Sequence, residues 1–203
     1  MDALFPLFCI RCEAYGEVLC ETCFNLLPKH ITLFSGSRGS IFLSACEYKN
    51  PLARELVHVL KYKGHHACAT VLARTLTWIW QQRLSAHTEY CITSIPLHRS
   101  KEKKRGFNQA ELLAREFVAA AGLPYENLLV RIRETPTQTA LSKEERKENV
   151  TGAFAVQVKQ CLYQKNIILV DDVITTGSTM SEATRALFVA GAKHVFGIAP
   201  AHG

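Results

Sequence analysis

Two adjacent carboxylates, Asp171 and Asp172, separate an apolar run from a turn of small hydroxylated residues. The run is Ile167, Ile168, Leu169 and Val170, the pattern of a strand buried on both faces of a parallel sheet. The turn is Thr175, Thr176, Gly177, Ser178 and Thr179, and a helical pattern follows it. A phosphate group needs N–H donors and the positive end of a dipole, and a loop entering a helix N-terminus supplies both. Gly177 lets the backbone approach closely, and the hydroxyls add donors. A carboxylate accepts hydrogen bonds from two neighbouring sugar hydroxyls. The stretch therefore reads as a site for a phosphorylated sugar, at the strand end where open α/β sheets place ligands. Thr179 and Glu182 have the spacing of a capping box. Neither a Walker loop nor a G-x-G-x-x-G fingerprint is present. The alternative, an ordinary strand ending in a polar loop, leaves two acids beside a buried strand without a use, which is costly.

A second group of reactive side chains lies near the N-terminus. Cys9-x2-Cys12 and Cys20-x2-Cys23 are separated by seven residues, with Gly16 placed to turn the chain between them. Each pair puts two thiolates on one turn, and two such turns close a tetrahedral zinc site. Two disulfides are the alternative in an oxidising compartment, and a C-x-x-C redox pair would need a βαβ context. Four thiolates fill the coordination sphere, so the zinc is expected to be structural. Cys46, Cys68, Cys91 and Cys161 stand among apolar residues and read as small core residues.

The elements that must hold these groups alternate along the chain. Residues 24–40 contain Pro28, Gly36, Ser37, Gly39 and Ser40 and read as a linker. Residues 41–48 read as the first strand. Asn50-Pro51 opens a helix with Leu52, Leu56, Val59 and Leu60 at helical spacing. A second helix carries Leu72, Leu76, Ile79 and Trp80. Strands are expected at 90–95, 128–132, 152–156, 167–170 and 194–199, and helices at 108–121 and 181–190. Alternation of this kind implies an α/β fold with a mostly parallel sheet flanked by helices. The division expected is a four-cysteine zinc module over 1–35 and an α/β domain over 36–203.

Two further segments carry charge. Pro96, Leu97, His98 and Arg99 follow a strand and lead into Lys101, Lys103, Lys104 and Arg105. Such a run is either a solvated charge face or, placed at a strand end, a donor set for a polyanion. Residues 138–154 are rich in charge, including Arg146 and Lys147, and read by themselves as a plain surface helix with alternating charges.

Residues 167–179 resemble the phosphoribosyl-pyrophosphate (PRPP) loop of type I phosphoribosyltransferases. The resemblance implies that Asp171 and Asp172 hold the ribose 2′- and 3′-hydroxyls, while Thr175, Thr176, Gly177, Ser178 and Thr179 wrap the 5′-phosphate. It implies a pyrophosphate loop at Pro96, Leu97, His98 and Arg99, with magnesium entering together with PRPP. Residues 138–154 look like the flexible hood of amidophosphoribosyltransferases, where Arg146 and Lys147 would meet the leaving pyrophosphate. With the Cys quartet, Leu60-Lys61-Tyr62-Lys63-Gly64 and Arg105-Gly106-Phe107-Asn108-Gln109, nearly the whole chain is similar to the ComF family. That resemblance implies a phosphoribosyltransferase fold linked to natural competence and the handling of incoming DNA.

The bulk numbers agree with this. The chain has 203 residues, 24 basic against 18 acidic, for a net charge of +6. The excess suits polyanionic partners: PRPP, nucleotides or single-stranded DNA. No apolar run is long enough for a membrane span, and the first residues lack the positive region of a secretory signal, so a cytoplasmic location is expected. DNA-processing proteins are expected partners, and a homo-oligomer is compatible with the sequence. Three functions follow: a competence factor binding PRPP or a nucleotide, a working transferase acting on a base or amine, and a PRPP sensor without chemistry.

Overall fold

The computed structural model describes residues 8–63, 65–86, 89–134, 143–157 and 162–203. Its centre is the apolar run, which forms β6 (Asn166–Val170). The main sheet runs β1 (Thr32–Ser35), β2 (Ile41–Glu47), β8 (His194–His202), β6, β3 (Tyr90–Ser94) in space. β1 joins antiparallel and the other neighbours are parallel. A short strand β7 (Val173–Ile174) pairs with the carboxyl end of β8. β4 (Leu129–Arg131) and β5 (Phe154–Val156) form a separate antiparallel pair.

The period of two along β6 sorts its side chains between two helix layers. Ile168 and Val170 face α2 (Pro51–Lys63), α3 (His66–Arg83) and α5 (Gln109–Ala121). Ile167 and Leu169 face α7 (Ser178–Val189) and the β4–β5 pair. All four are fully buried, each worth about 1.5–3 kcal/mol before chain entropy is counted. Helix ends follow local chemistry. Asn50 Oδ1 accepts the N–H groups of Leu52 and Ala53 at 3.0 and 3.1 Å, with Pro51 as first helical residue. Asn108 Oδ1 caps α5 through the Ala110 N–H at 3.1 Å, and Gly122 ends it at φ 68°.

Three expectations are corrected. The stretch 24–40 is not a linker: Thr32–Ser35 pairs residue for residue with the start of β2. Its Gly and Ser residues instead make the one-turn helix Ser37–Gly39 that joins two strands. The loop expected at 96–99 is shorter than read: Arg99 and the basic run form helix α4 (Arg99–Arg105), capped by His98 and ended by Gly106 at φ 87°. Lys, Arg and Glu are good helix formers, and the solvated charges do not oppose the turn. α7 starts earlier than read from the sequence, with Gly177 at its N-cap. The Thr179–Glu182 capping box is therefore not made, and Glu182 is engaged elsewhere.

At the N-terminal module, α1 (Glu21–Asn25) docks on α3. The Arg74 guanidinium lies 3.7 Å from the Phe24 ring centre and 2.7 Å from Glu21 Oε2. Leu19, Phe24 and Leu27 join the same apolar core as α2 and α3.

Candidate functional site

Asp171 and Asp172 follow β6 directly and are almost fully buried. The Asp171 N–H still donates along the sheet, to the Ile198 carbonyl at 3.1 Å. The Asp172 N–H donates to Asp171 Oδ1 at 2.8 Å, which folds the two side chains into one cluster. Lys61, near the C-terminus of α2, places its Nζ 2.6 Å from Asp172 Oδ2. Gln109, the first residue of α5, approaches Asp172 Oδ1 at 3.5 Å.

The two acids are driven apart. Burial pushes the Asp171 carboxyl well above the ordinary range, and the charge of Asp172 adds to this. Burial also opposes the charge on Asp172, but the Lys61 ammonium and donors from Asp171 and Gln109 hold it below its ordinary value. Lys61 is desolvated too, yet Asp172 keeps its pKa above that of a free lysine.

The hydroxyl turn lies just beyond β7. Gly177 takes φ 72°, a conformation that favours glycine, and a Cβ there would meet the Phe42 ring at 3.8 Å. Thr176 Oγ1 lies 2.9 Å from Ser178 Oγ and accepts the Ser178 N–H at 3.4 Å. Thr175 is exposed, and Thr176, Gly177, Ser178 and Thr179 are half-buried. The turn is thus open to solvent at the start of a 12-residue helix.

On the other side of the acids stands α4. Pro96, Leu97 and His98 make the loop and Arg99 begins the helix. His98 Nδ1 accepts the Ser100 N–H at 3.3 Å and lies 3.9 Å from Glu134. Arg99, Lys103 and Lys104 are exposed, whereas Lys101 is half-buried. Burial and the nearby Arg131 guanidinium lower the Lys101 pKa. Arg105 donates to Gln109 Oε1 and also faces the Tyr62 ring at 5.8 Å. A polar chain therefore runs from Arg105 through Gln109 to Asp172 and Lys61.

The expected hood segment includes α6 (Lys143–Val150). The side chains of Arg146 and Lys147 lie outside the described residues, as do residues 135–142. The end of α6 is held in two ways. Arg133 Nη2 donates to the carbonyls of Asn149 at 3.0 Å and Thr151 at 2.6 Å. Glu182 Oε1 accepts the Gly152 N–H at 2.8 Å, and the same carboxylate pairs with Arg185 at 2.7 Å. Burial raises the Glu182 pKa, but Arg185 and the Gly152 N–H bring it below its ordinary value.

Cys9, Cys12, Cys20 and Cys23 come together with their sulfurs within 4.8 Å of one another and could hold a metal ion. Burial opposes a thiolate at Cys9, but N–H groups of Cys20, Cys12 and Arg11 hold its pKa down to about 6, while burial and the neighbouring thiols push Cys23 up to about 12. Burial pushes Cys46 and Cys68 up to about 11 and Cys91 up to about 12. These three are inert core thiols; Cys161 lies outside the described residues. Among the described residues no helix is long and apolar enough to cross a membrane.

Residues 103–201 match the phosphoribosyl transferase domain family. The chain is 34% identical over 157 residues to the DNA utilization protein YhgH of Salmonella typhimurium, covering 75% of this chain and 68% of that one. It is 32% identical over 196 residues to Competence protein F of Haemophilus influenzae, covering 94% of this chain and 82% of that one. The chain belongs to the ComF family. Its fold is of the type I phosphoribosyltransferase kind, a mostly parallel sheet between helices with an N-terminal Cys cluster. Among solved structures, the glutamine PRPP amidotransferase from B. subtilis aligns at 17% identity and a TM-score of 0.45, over 82% of this chain and 35% of that one. A likeness of that size carries no functional argument.

Several residues of this ComF site were not singled out as site residues from the sequence: Lys61, Gln109, Arg133 and Glu182. Lys61 had a signal. It stands four residues after the buried Val57 and next to the buried Leu60, so it lies at the edge of the inward face of α2. A cation there is costly unless an acid meets it. Gln109 had a signal only through resemblance, as the end of the Arg105-Gly106-Phe107-Asn108-Gln109 run shared with the ComF family.

Proposed function

We propose that this ComF protein binds PRPP and serves the handling of incoming DNA. Asp171 and Asp172 hold the ribose 2′- and 3′-hydroxyls, and Thr175, Thr176, Gly177, Ser178 and Thr179 receive the 5′-phosphate. The reading rests above all on the buried acid pair at the carboxyl end of β6, followed by an open hydroxyl turn that starts α7. Pro96, Leu97, His98 and Arg99, with Lys101, lie on the pyrophosphate side, and magnesium arrives bound to the ligand. Calorimetry with magnesium-PRPP, paired with a pyrophosphate-release assay over a panel of nucleobases and ammonia, tests this. Binding without release identifies a sensor or competence factor, and release identifies a transferase. No binding by the intact protein would sink the proposal.

The DNA part is supported by a second surface. Tyr62 is 69% exposed, with the His58 ring at 4.8 Å and the Arg105 guanidinium at 5.8 Å. The exposed Lys103 and Lys104 belong to the same helix as Arg105. An open aromatic face beside cations suits single-stranded nucleic acid. Fluorescence anisotropy with an oligothymidylate should show affinity that falls with salt and weakens in Tyr62→Ala. Equal affinity in that variant removes Tyr62 from the surface.

The Cys cluster is read as a structural zinc site. Tetrahedral zinc–sulfur bonds of about 2.3 Å place the sulfurs about 3.8 Å apart, and Cys12 and Cys20 stand 3.7 Å apart. With four thiolates the ion organises the knuckle and has no open position for a reaction. A cytoplasmic location keeps these thiols reduced.

A further inference from the structure

The charge state of the acid pair is governed from a distant part of the chain. α2 begins just after the carboxyl end of β2 and brings Lys61 over the carboxyl end of β6. The helix thus lies across the mouth of the sheet, and α3 makes the return along its face. Lys61 is three-quarters buried, with a side-chain exposure of 23%, and Asp172 is at 5%. At 2.6 Å the ammonium is in direct contact with Asp172 Oδ2.

Among the described residues, the cluster is also faced by Asp171 from the turn after β6, Gln109 from α5 and Tyr48 from the turn after β2. Arg131 from β4 acts on it through Asp171, and Arg105 from α4 through Gln109. Two neighbouring buried carboxyls do not both ionise without a cation. Of the cations named, Lys61 is the one paired with Asp172.

A carboxylate offers about four lone-pair sites. The Lys61 ammonium stands against Oδ2, Gln109 reaches Oδ1 and Asp171 donates to the same carboxylate, so a ligand has only the lone pairs these leave. Protonation of Asp172 would remove an acceptor and replace it with a donor. The cation thus keeps the remaining lone pairs available.

We propose that Lys61 is a positioning residue of the ligand site: it holds Asp172 as an ionised, oriented acceptor and thereby sets the affinity for a ribosyl phosphate. This rests on the PRPP reading of the site. The role differs from that of a phosphate-binding lysine, since Lys61 acts through Asp172. It also differs from a purely structural ion pair, because its loss makes ligand affinity depend on pH in a defined way.

The test is calorimetry of magnesium-PRPP with the full chain carrying its metal, across about pH 6 to 8.5, for wild type, Lys61→Met and Lys61→Arg. Affinities are taken as ratios to wild type, so that titration of the ligand's own phosphates cancels. Lys61→Met is expected to bind about tenfold or more weakly near pH 6, with the deficit shrinking as pH rises, because one unit of pKa is a factor of ten. Lys61→Arg, which keeps the charge, should hold a ratio that does not vary with pH. A folded Lys61→Met protein with a ratio of one throughout, or with the same deficit at every pH, overturns the role. If Lys61→Met does not fold, Lys61→Arg decides: a constant ratio supports the role and a deficit confined to low pH overturns it. Absence of binding by wild type overturns the PRPP reading itself, a result distinct from binding that is indifferent to Lys61.

Discussion

Asp171→Asn and Asp172→Asn should have very different effects on stability, although the two residues are adjacent and equally acidic in water. Asp172→Asn leaves the Lys61 ammonium without its anion, three-quarters buried. Removing one partner of a buried ion pair costs about 3–5 kcal/mol. The lower end, about 3 kcal/mol, applies here because part of Lys61 still reaches water. Asp171 is the reverse case. Burial and the charge of Asp172 hold its pKa well above the ordinary range, so little charge is lost on substitution. The amide can still accept the Asp172 N–H that now goes to Asp171 Oδ1 at 2.8 Å. Asp171→Asn should therefore lie within about 1 kcal/mol of wild type. The pH dependence separates the two further. The Asp172 contribution is present above its unfolded pKa, near about 4, and is lost as pH falls through its lower folded value. Asp171 has the opposite sign: its folded pKa is raised, so wild type loses stability as pH rises from about 4 toward that value. Asp171→Asn should remove that decline. Urea unfolding, followed by the fluorescence of Trp78 and Trp80 at several pH values, measures all of this. Equal losses in the two variants, or a larger loss in Asp171→Asn, would refute the asymmetry and the Lys61 pairing on which it is built.

Three other outcomes are expected. Glu182→Ala should destabilise by about 2 kcal/mol, because it strips a charged acceptor from the Gly152 N–H; Arg185→Ala, at the half-exposed end of the same pair, should cost under about 1 kcal/mol. Equal losses in urea would place the stabilisation in the ion pair instead of the backbone bond. Gly197→Ala should cost about 1–3 kcal/mol, since its Cβ would stand 2.6 Å from Phe42 Cδ1 and 2.7 Å from Met180 Sδ. The far end of the Phe42 ring packs closely over Gly36, where a Cβ would stand 2.4 Å from its Cζ, and an unchanged melting temperature would contradict that packing. Cys12→Ser should lower bound metal below one per chain by atomic absorption and deprotect amides from Cys9 to Leu27 in hydrogen exchange. Retained one-to-one metal would exclude Cys12 as a ligand.

Strand β6 was legible because an unbroken apolar run marks a strand buried on both faces, and helices α2, α3 and α5 because their apolar period of 3.6 reports burial directly. The helix starts at Asn50-Pro51 and Asn108 were legible because capping is a local reaction between a side chain and the next N–H groups. The edge strand β1 was not. A strand at a sheet margin alternates weakly, and its Gly and Ser neighbours serve a turn as readily as a linker. α4 was not assigned, because a run of charges says that a segment is solvated, not which backbone it adopts. Glu182 had the spacing for a capping box but pairs with Gly152 and Arg185, a choice set by the approach of the β5 entry to α7.

The sequence alone determined the chemical inventory: an acid pair at a strand end, a hydroxyl turn before a helix, and four thiols in two C-x2-C pairs. Each is specified by neighbours within a few residues, where covalent spacing fixes the geometry. The tertiary structure decided how the inventory is charged. Asp171 and Asp172 are the same residue with the same intrinsic acidity, and the arrival of Lys61 from α2 and Gln109 from α5 holds Asp172 below its ordinary range while burial pushes Asp171 above it. Electrostatic energy in a desolvated site depends on distance in space, and no local pattern along the chain encodes which helix crosses the mouth of the sheet.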